Sequence, residues 1–355
     1  MGAKSSLSAG RRYRRARRLR HDERAIVSVI GTLLAMLVFF ALFGIFLTQY
    51  VPLWMTDNES QFAAQAATSF ASFKSDVDVQ YTLGGPQTFG TPFVISSDGV
   101  PLIAQPTQGS LVFLPNTCPG GFWSAGQHGA SASNYGQPVN TAYCAFVNVT
   151  ESIGPGGSGT YSQAIQTGTL EMVLPDRYYS PQTLVYEDDG VIQTQSSSYQ
   201  IMAFPPPLNI TAFAGNTTIS DSILQQYGNA STAVGQGSEE VYSSLRYTQA
   251  VTDNGKLTGT TLTPFKFTFV IGTAYPCAWM PFLYKAVTSS GVAAANYALS
   301  TTFDGAATAT LASTYSGTCG NANGATTVLS FSVSDVNYAT LYQAGVQIGL
   351  GVGGA

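Results

Sequence analysis

The sequence predicts an α+β protein in which a long N-terminal helix, first hydrophobic and then amphipathic, precedes a mainly-β head built as an antiparallel β-sandwich. Three observations predict this: residues 26–50 carry no charge, residues 57–79 have a helical apolar period, and short β-rich segments separated by turn residues follow. The 355 residues can bury a sizeable core, and a hydrophobic fraction of 45% excludes a disordered acidic chain.

Residues 1–25 form a strongly basic leader. Lys4 and eight arginines supply nine of the fifteen basic residues, and beyond Ala25 six basic residues face seventeen acidic ones, a net charge of −11. By the positive-inside rule the leader lies in the cytoplasm and the head is extracellular. Because the basic residues directly precede an apolar segment, we expect no nucleic-acid partner.

Residues 26–50 predict a transmembrane helix in contact with membrane lipid. Twenty-five residues at ~1.5 Å each extend ~37 Å, enough to cross a hydrocarbon core of ~30 Å. The apolar segment of a secretory signal peptide is shorter and is followed by a small-x-small cleavage site, which is not found here. Tyr50 and Trp54 have the character of interfacial anchors. The sequence therefore predicts a single-pass protein of the cell membrane.

The start of this segment resembles the N-terminal processing site of archaeal type IV pilin-like proteins. Residues 24–32 read Arg-Ala-Ile-Val-Ser-Val-Ile-Gly-Thr. In the family a basic residue and Ala or Gly end the leader, and an apolar residue begins the mature chain. Arg24 and Ala25 match the first two positions, Ile26 the third, and Gly31 closes the motif. Val27 stands where Ser is usual and Ser28 where Pro is usual, and no glutamate lies near the mature start.

The resemblance implies a set of partners and a function. A prepilin-type peptidase would cut before Ile26, and other pilin-like subunits would pack against residues 26–50 in a surface filament whose heads serve adhesion. Gly31 and Ala35 have the small-xxx-small spacing that lets helices approach closely. Two alternatives stay open: an uncleaved, signal-anchored surface or envelope protein that binds a solute or glycan, and a membrane-tethered hydrolase.

Residues 51–79 predict an amphipathic stalk helix. Apolar residues recur at steps of three and four along one side of it, at Phe62, Ala66, Phe70, Phe73 and Val77. Asp57 or Asn58 is the expected cap at its start, and Pro52 is expected to kink or interrupt the connection to the membrane helix.

Residues 80–355 predict the β-rich head. The expected strands are 93–95, 111–114, 143–149, 170–174, 184–186, 191–194, 199–202, 265–269, 329–333 and 342–352. Asp98-Gly99 and Asp188-Asp189-Gly190 predict hairpin turns, and Glu187-Asp188-Asp189 is expected to be a solvated tip. The three prolines at 205–207 suggest a sub-boundary near residue 205, although one elaborate head is favoured over two domains.

All four cysteines follow the membrane segment, which predicts disulfides in an oxidising compartment. Three connectivities are possible, and proximity along the chain favours Cys118 with Cys144 and Cys277 with Cys319. Neither a metal site nor a cofactor is predicted, because the cysteines are not spaced as metal ligands. Five Asn-x-Ser/Thr sequons predict glycosylation, at Asn58, Asn148, Asn209, Asn216 and Asn229.

Catalytic motifs are missing from the sequence, and we expect no enzymatic activity. The two histidines are His21 in the leader and His128, and neither a nucleophile elbow nor a zinc-protease motif is present. The candidates for a glycosidase carboxylate pair are Glu151, Glu171 and Glu187. A charged fraction of only 10% would suit a head that stays folded in acid, because few carboxylates then depend on ionisation.

Overall fold

The computed structural model describes residues 28–101, 103–115, 145–153, 160–196, 199–252, 264–303, 306–311 and 327–351. One long N-terminal helix precedes a head in which sixteen described strands form two sheets. The predicted fold class is therefore confirmed. Both sheets are antiparallel apart from one parallel strand pair, which is described below.

Helix α1 spans Ser28–Leu83 without interruption, 56 residues in all. The helix continues through Pro52, so the expected interruption at this proline is wrong, and the alternative expectation of a kink stays a prediction. A π-helical turn at Phe46–Tyr50 ends two residues before this proline. Proline has no N–H to donate, and its ring crowds the carbonyl four residues earlier. We infer that the wider turn accommodates the proline, since π-turns inside helices relieve such local crowding.

The predicted bounds of the stalk helix also need correction. Asp57 and Asn58 do not cap a helix, because α1 already runs through them, and Asn58 Nδ2 donates to the Asp98 carbonyl at 3.0 Å. The helix ends four residues later than expected, at Leu83, where Gly84 adopts a left-handed φ of 65°. Glycine occupies this position readily because it has no Cβ to clash.

The larger sheet has ten strands. They are β1 (Thr88–Val94), β3 (Ala145–Ile153), β4 (Thr160–Thr167), β9 (Asn209–Phe213), β10 (Asn216–Gly228), β12 (Ser238–Thr252), β13 (Phe265–Thr273), β14 (Tyr297–Phe303), β15 (Ala306–Leu311) and β16 (Thr327–Leu350). The smaller sheet has six strands. They are β2 (Ser110–Leu114), β5 (Thr169–Leu174), β6 (Gln182–Glu187), β7 (Gly190–Ser196), β8 (Tyr199–Phe204) and β11 (Ser231–Val234). Their order across the sheet is β11-β2-β5-β6-β7-β8.

Strand β16 organises the larger sheet. Its first part, to Val336, pairs antiparallel with β13 and β14, and the part after Val336 pairs antiparallel with β12 and parallel with β10. The two separate strands expected at 329–333 and 342–352 are thus one strand of 24 residues. Asp335 has a left-handed φ of 58°, where the strand changes its partners.

The second half of α1 lies in the main core. Phe62, Phe70 and Phe73 are at most 1% exposed. They belong to a hydrophobic cluster with residues of both sheets, including Phe93, Leu170 and Val346. The apolar stripe predicted from sequence is therefore the face by which the head holds the helix. Phe73 packs edge-to-face on Tyr186 of β6, with ring centroids 5.1 Å apart.

A second helix, α2 (Pro276–Ser289), was not predicted. Its buried residues Met280, Leu283 and Val287 follow a helical spacing, and Pro276 occupies a first-turn position that favours helix starts. The signal was present but short. Helix α2 fills a second hydrophobic cluster with Trp279, β13 and the first part of β16.

The two expected hairpin turns have different outcomes. Asp188 and Asp189 form the two-residue turn between β6 and β7, both with left-handed φ, of 44° and 59°. This backbone is the type I′ turn that suits a hairpin. Asp98-Gly99 is not a hairpin turn; it lies between Ser96 and Val100, which form isolated bridges to Gln108 and Ala104.

The proline segment at 205–207 follows β8 of the smaller sheet and precedes β9 of the larger sheet. The chain leaves one sheet for the other there. Proline favours such a point because it has no N–H to donate to a neighbouring strand. It also changes sheets at β2, β3, β5, β11 and β12. A sub-boundary near residue 205 stays a prediction, and the sheets themselves are not successive halves of the chain.

Candidate functional site

The first part of α1, residues 28–50, is called the apolar surface here. Its large apolar side chains project into solvent; Leu37, for example, is 68% exposed. The most apolar 18-residue window has a mean hydropathy of 2.7, and none of it is buried within the chain. This helix is long and apolar enough to cross a membrane. Its surface needs lipid or another apolar partner to be covered.

Small residues interrupt the apolar surface. At Gly31 and at Gly44 a Cβ atom would meet no other atom within 4 Å. Because Ala35 follows Gly31 by one helical turn, a partner helix can approach the backbone closely here. The processing-site residues Arg24, Ala25 and Ile26 lie outside the described residues.

Three aromatic residues, Phe46, Tyr50 and Trp54, lie at the base of the apolar surface, and together they are called the aromatic collar. The Phe46 ring lies 6.0 Å from that of Tyr50 and 5.7 Å from that of Trp54. Tyr50 and Trp54 remain about half exposed, whereas Met55, one residue further, is buried. Exposed amphipathic rings of this kind favour a membrane–water boundary. The helix therefore passes from an exposed apolar segment into the head within about two turns.

Glu59 anchors the helix just beyond the collar. Its carboxylate is fully buried and accepts backbone N–H bonds from three successive residues, Arg177, Tyr178 and Tyr179, at 2.6–3.2 Å. The Thr107 hydroxyl donates to Oε1 at 2.5 Å. Burial by itself would raise the pKa of Glu59, but these hydrogen bonds outweigh it and hold the pKa below its ordinary value. The carboxylate thus ties α1 to the segment between β5 and β6.

Asp176 lies beside this anchor, and its pKa is shifted in the opposite direction. It is 4% exposed, and neither carboxyl oxygen has a hydrogen-bond partner among the described residues. Burial and the nearby negative charge of Glu59 raise the pKa of Asp176 to about 7. The pKa values of these two neighbouring carboxyl groups therefore differ, because only Glu59 accepts hydrogen bonds from the backbone N–H groups.

A second cluster of buried carboxyl groups surrounds Lys74 of α1. Lys74 Nζ lies 3.0 Å from Asp189 Oδ1 and 3.4 Å from Asp78 Oδ2. The Tyr186 hydroxyl donates to Asp189 Oδ1 at 2.8 Å, and the Leu224 N–H donates to Asp188 Oδ1 at 3.0 Å. The expectation of a solvated tip at Glu187-Asp188-Asp189 is wrong: all three residues are at most 4% exposed. The hairpin turn docks against α1 and β10 instead of pointing into solvent.

Burial dominates the electrostatics of this cluster. It raises the pKa of Asp189 to about 7 in spite of Lys74, and it raises that of Asp221 on β10 to about 7 as well. The pKa of Asp188 also lies well above its ordinary value, through burial and the charge of Asp221. The carboxyl groups of Asp78, Asp189 and Asp221 therefore share one ammonium group, and Asp188 lies beside two of them. Most of this negative charge disappears in mild acid.

Two of the three candidate glycosidase carboxylates lie near each other. The Tyr275 hydroxyl donates to Glu171. Burial is the main cause that raises the pKa of Tyr275, and the charges of Glu171 and Glu187 raise it further. Glu187 is 1% exposed and accepts from Trp279 Nε1 at 2.9 Å. The pair therefore fastens α2 to the smaller sheet, and its buried member offers no access to a substrate. The side chain of Glu151 and residue His128 lie outside what the structure describes.

The remaining predicted residues are distributed over the head. Cys277 is disulfide-bonded, and the other three cysteines lie outside the described residues, so both pairings stay predictions. Asn209, Asn216 and Asn229 are exposed, as glycan attachment requires, whereas Asn58 is half-buried and bonded to Asp98. The side chain of Asn148 is not described. The segments that the structure does describe contain no group of three or more His, Cys, Asp or Glu residues arranged to hold a metal ion.

Comparison of the chain with protein-family models, with curated proteins and with solved structures found no match.

Proposed function

We propose that this chain is a pilin-like surface subunit. A prepilin-type peptidase removes the basic leader before Ile26, and the apolar surface then packs against the same surface of other subunits in a filament whose heads face outward. The observation that carries the proposal is the division of α1: residues 28–50 are exposed and apolar, while the second half of the same uninterrupted helix is the core of the head.

The anchorage of α1 supports this proposal. A helix that transmits its position to a folded head must be held firmly, and Glu59, Phe70 and Lys74 each join it to a different part of the head. Burying the apolar surface against neighbours contributes about 25 cal/mol per Å² relative to water. Small residues at Gly31 and Gly44 permit close helix contacts.

Mass spectrometry of the native N-terminus tests the proposal. We expect mature chains that begin at Ile26 and retain the apolar surface, in filaments that an antibody to the head labels. Ala25→Leu, which enlarges the residue before the expected cut, should leave the leader in place; Ala16→Leu, in the middle of the leader, is the matched control. An intact leader on all wild-type chains would instead indicate an uncleaved surface anchor.

A further inference from the structure

The larger sheet presents tyrosine rings and amides on the face opposite α1. Ala344, Val346 and Ile348 of β16 point into the core that contains α1, so the alternate residues of this strand lie on the other face. The strand register brings residues of β10 and β12 beside them. We call this patch the Tyr247 platform; its residues are Gln225, Tyr227, Tyr247, Gln343, Gly345 and Gln347. Gln343 and Gly345 are buried and support the exposed Tyr247.

Gly345 allows the Tyr247 ring to lie flat on the sheet. A Cβ atom at Gly345 would overlap the ring, so one ring face rests directly on the strand backbone. Tyr247 is nevertheless 39% exposed. The register shift between Leu245 and Tyr247 is a bulge that turns Leu245 into the core and Tyr247 onto the platform. The second ring face is thereby presented to solvent.

Hydrogen bonds hold the amides in fixed orientations around this ring. The Tyr247 hydroxyl donates to Gln225 Oε1. Gln343 Nε2 donates to the same oxygen at 2.9 Å and to the Tyr247 hydroxyl at 3.1 Å. Gln249 Nε2 in turn donates to Gln343 Oε1 at 2.7 Å. The network crosses three strands, so little side-chain freedom remains to be lost on binding.

The charge of the platform restricts what can bind. All six platform residues are uncharged, and the neighbouring Arg246 donates to Gln347 Oε1 at 2.5 and 2.9 Å. Nucleic acids and other polyanions are bound by groups of cations. Membranes favour contiguous apolar area, which the amides here interrupt. A neutral ligand rich in hydroxyl groups matches both the amides and the open ring face.

We propose that the Tyr247 platform binds a neutral polysaccharide, with Tyr247 stacked on the C–H face of a sugar ring and the amide NH₂ groups of the partly exposed Gln225 and Gln347 hydrogen-bonded to its hydroxyls. The electron-rich ring face attracts such C–H groups, and oriented amides give the contact its direction. This inference names the ligand class of the adhesive head and so rests on the proposed function.

Binding of the full chain to immobilised laminarin, mannan, dextran and chitin oligosaccharides tests it. The protein is held in phosphatidylcholine nanodiscs, because sugar-based detergents would compete. We expect at least one of these polysaccharides to bind and heparin not to bind. Tyr247→Ala should weaken binding tenfold or more, and Gly345→Ala, which displaces the ring without removing it, should weaken it severalfold. Tyr338→Ala is the matched control, since this tyrosine is 48% exposed elsewhere on β16.

Several outcomes would overturn the inference: no polysaccharide binds, heparin alone binds, or Tyr247→Ala binds as the wild type does. Loss of filaments in Tyr247→Ala, with N-terminal processing intact, would assign the platform to contacts between subunits and would also overturn it. Weaker polysaccharide binding with processing and filaments intact supports it. A failure of cleavage at Ile26 counts against the filament function, whereas the binding series still decides the platform.

Discussion

The buried carboxyl groups on and around α1 fall into two kinds, one with a lowered pKa and one with a raised pKa. Glu59 is surrounded by donors and stays ionised, whereas Asp176, Asp189 and Asp221 have pKa values raised to about 7. Burial raises the pKa of all of them. Hydrogen-bond donors outweigh burial at Glu59, whereas at the three aspartates burial and neighbouring carboxylates together outweigh any donors. The two kinds of group therefore respond to substitution in opposite ways.

Glu59→Gln should destabilise the head. The substitution replaces one acceptor oxygen by an NH₂ group that faces the N–H groups of residues 177–179, and charge-assisted bonds of this kind contribute about 1.5–3 kcal/mol each. We expect a loss of about 2–4 kcal/mol, measured by denaturant unfolding of the purified protein at pH 7. Asp57→Asn, at an exposed position of the same helix, is the control and should change stability little. Equal stability of Glu59→Gln and wild type would refute the anchoring role.

Asp221→Asn should have the opposite effect above neutral pH. Asp221 is buried, and its Oδ1 accepts from the Ser222 N–H, a bond that an amide oxygen can also accept. Removing the buried charge should raise the midpoint of thermal unfolding at pH 8 and leave it nearly unchanged at pH 4.5. Asp98→Asn, whose side chain is exposed, should shift neither midpoint. A lower midpoint for Asp221→Asn at pH 8 would show that the charged form is needed.

At the scale of elements, α1 is the part that joins the two sheets. Its aromatic residues contact both of them: Phe70 packs edge-to-face on Phe93 of β1, and Phe73 on Tyr186 of β6, each pair with centroids 5.1 Å apart. Phe46, near the end of the apolar surface, packs against the buried cluster of Val51, Met55 and Val100, whereas the most apolar 18-residue window is not buried at all within the described chain. The two halves of one helix thus perform different tasks.

Phe73→Ala should destabilise the head without affecting the apolar surface. A fully buried phenylalanine replaced by alanine costs about 3–5 kcal/mol, because the cavity left behind relaxes only in part. Near-UV circular dichroism during denaturant unfolding measures the loss. Val79→Ala, at a 43% exposed position of the same helix, is the control. Similar losses in both variants would mean that the helix contributes through its backbone alone.

At the scale of the whole molecule, the buried carboxyl groups make stability depend on pH. Asp176, Asp189 and Asp221 bind protons more tightly in the folded protein than in the unfolded chain. Their protonation therefore stabilises the fold fully near pH 4, and this stabilisation is lost as the pH rises through about 7. For one fully buried group the loss is about 4 kcal/mol. Lys74, Asp78, Tyr186, Glu187 and Asp188 face the same cluster and couple its titrations.

The protein should therefore be most stable in mild acid. Glu59 has the opposite sign, since its lowered pKa stabilises the fold above about pH 4.5 and that contribution is lost in stronger acid. Thermal unfolding midpoints should rise as the pH falls from 8 to 5 and decline again below about pH 4. The expectation that the head stays folded in acid would be contradicted by midpoints that fall steadily from pH 8 to pH 5.

Local patterns explain which parts of this fold were predictable. The apolar segment, the stripe from Phe62 to Val77 and the alternation from Tyr342 onward are each readable within one turn or one strand, because helices and strands repeat every 3.6 and 2 residues. Helix α2 was missed because its apolar spacing covers only three turns. Strand β10 was missed because its exposed face carries Thr, Ser and Gln, which resemble loop residues.

The sequence by itself determined a basic leader, an uncharged span long enough for a membrane, an amphipathic continuation and a β-rich head. Only the tertiary structure decided that the Asp188-Asp189 turn is buried beside Lys74, that Glu59 meets three backbone N–H groups about 120 residues away, and that Tyr247 lies on Gly345. The physical reason is that periodicity and hydropathy belong to neighbouring residues, whereas burial, pKa and ligand-binding geometry depend on which distant segments pack together.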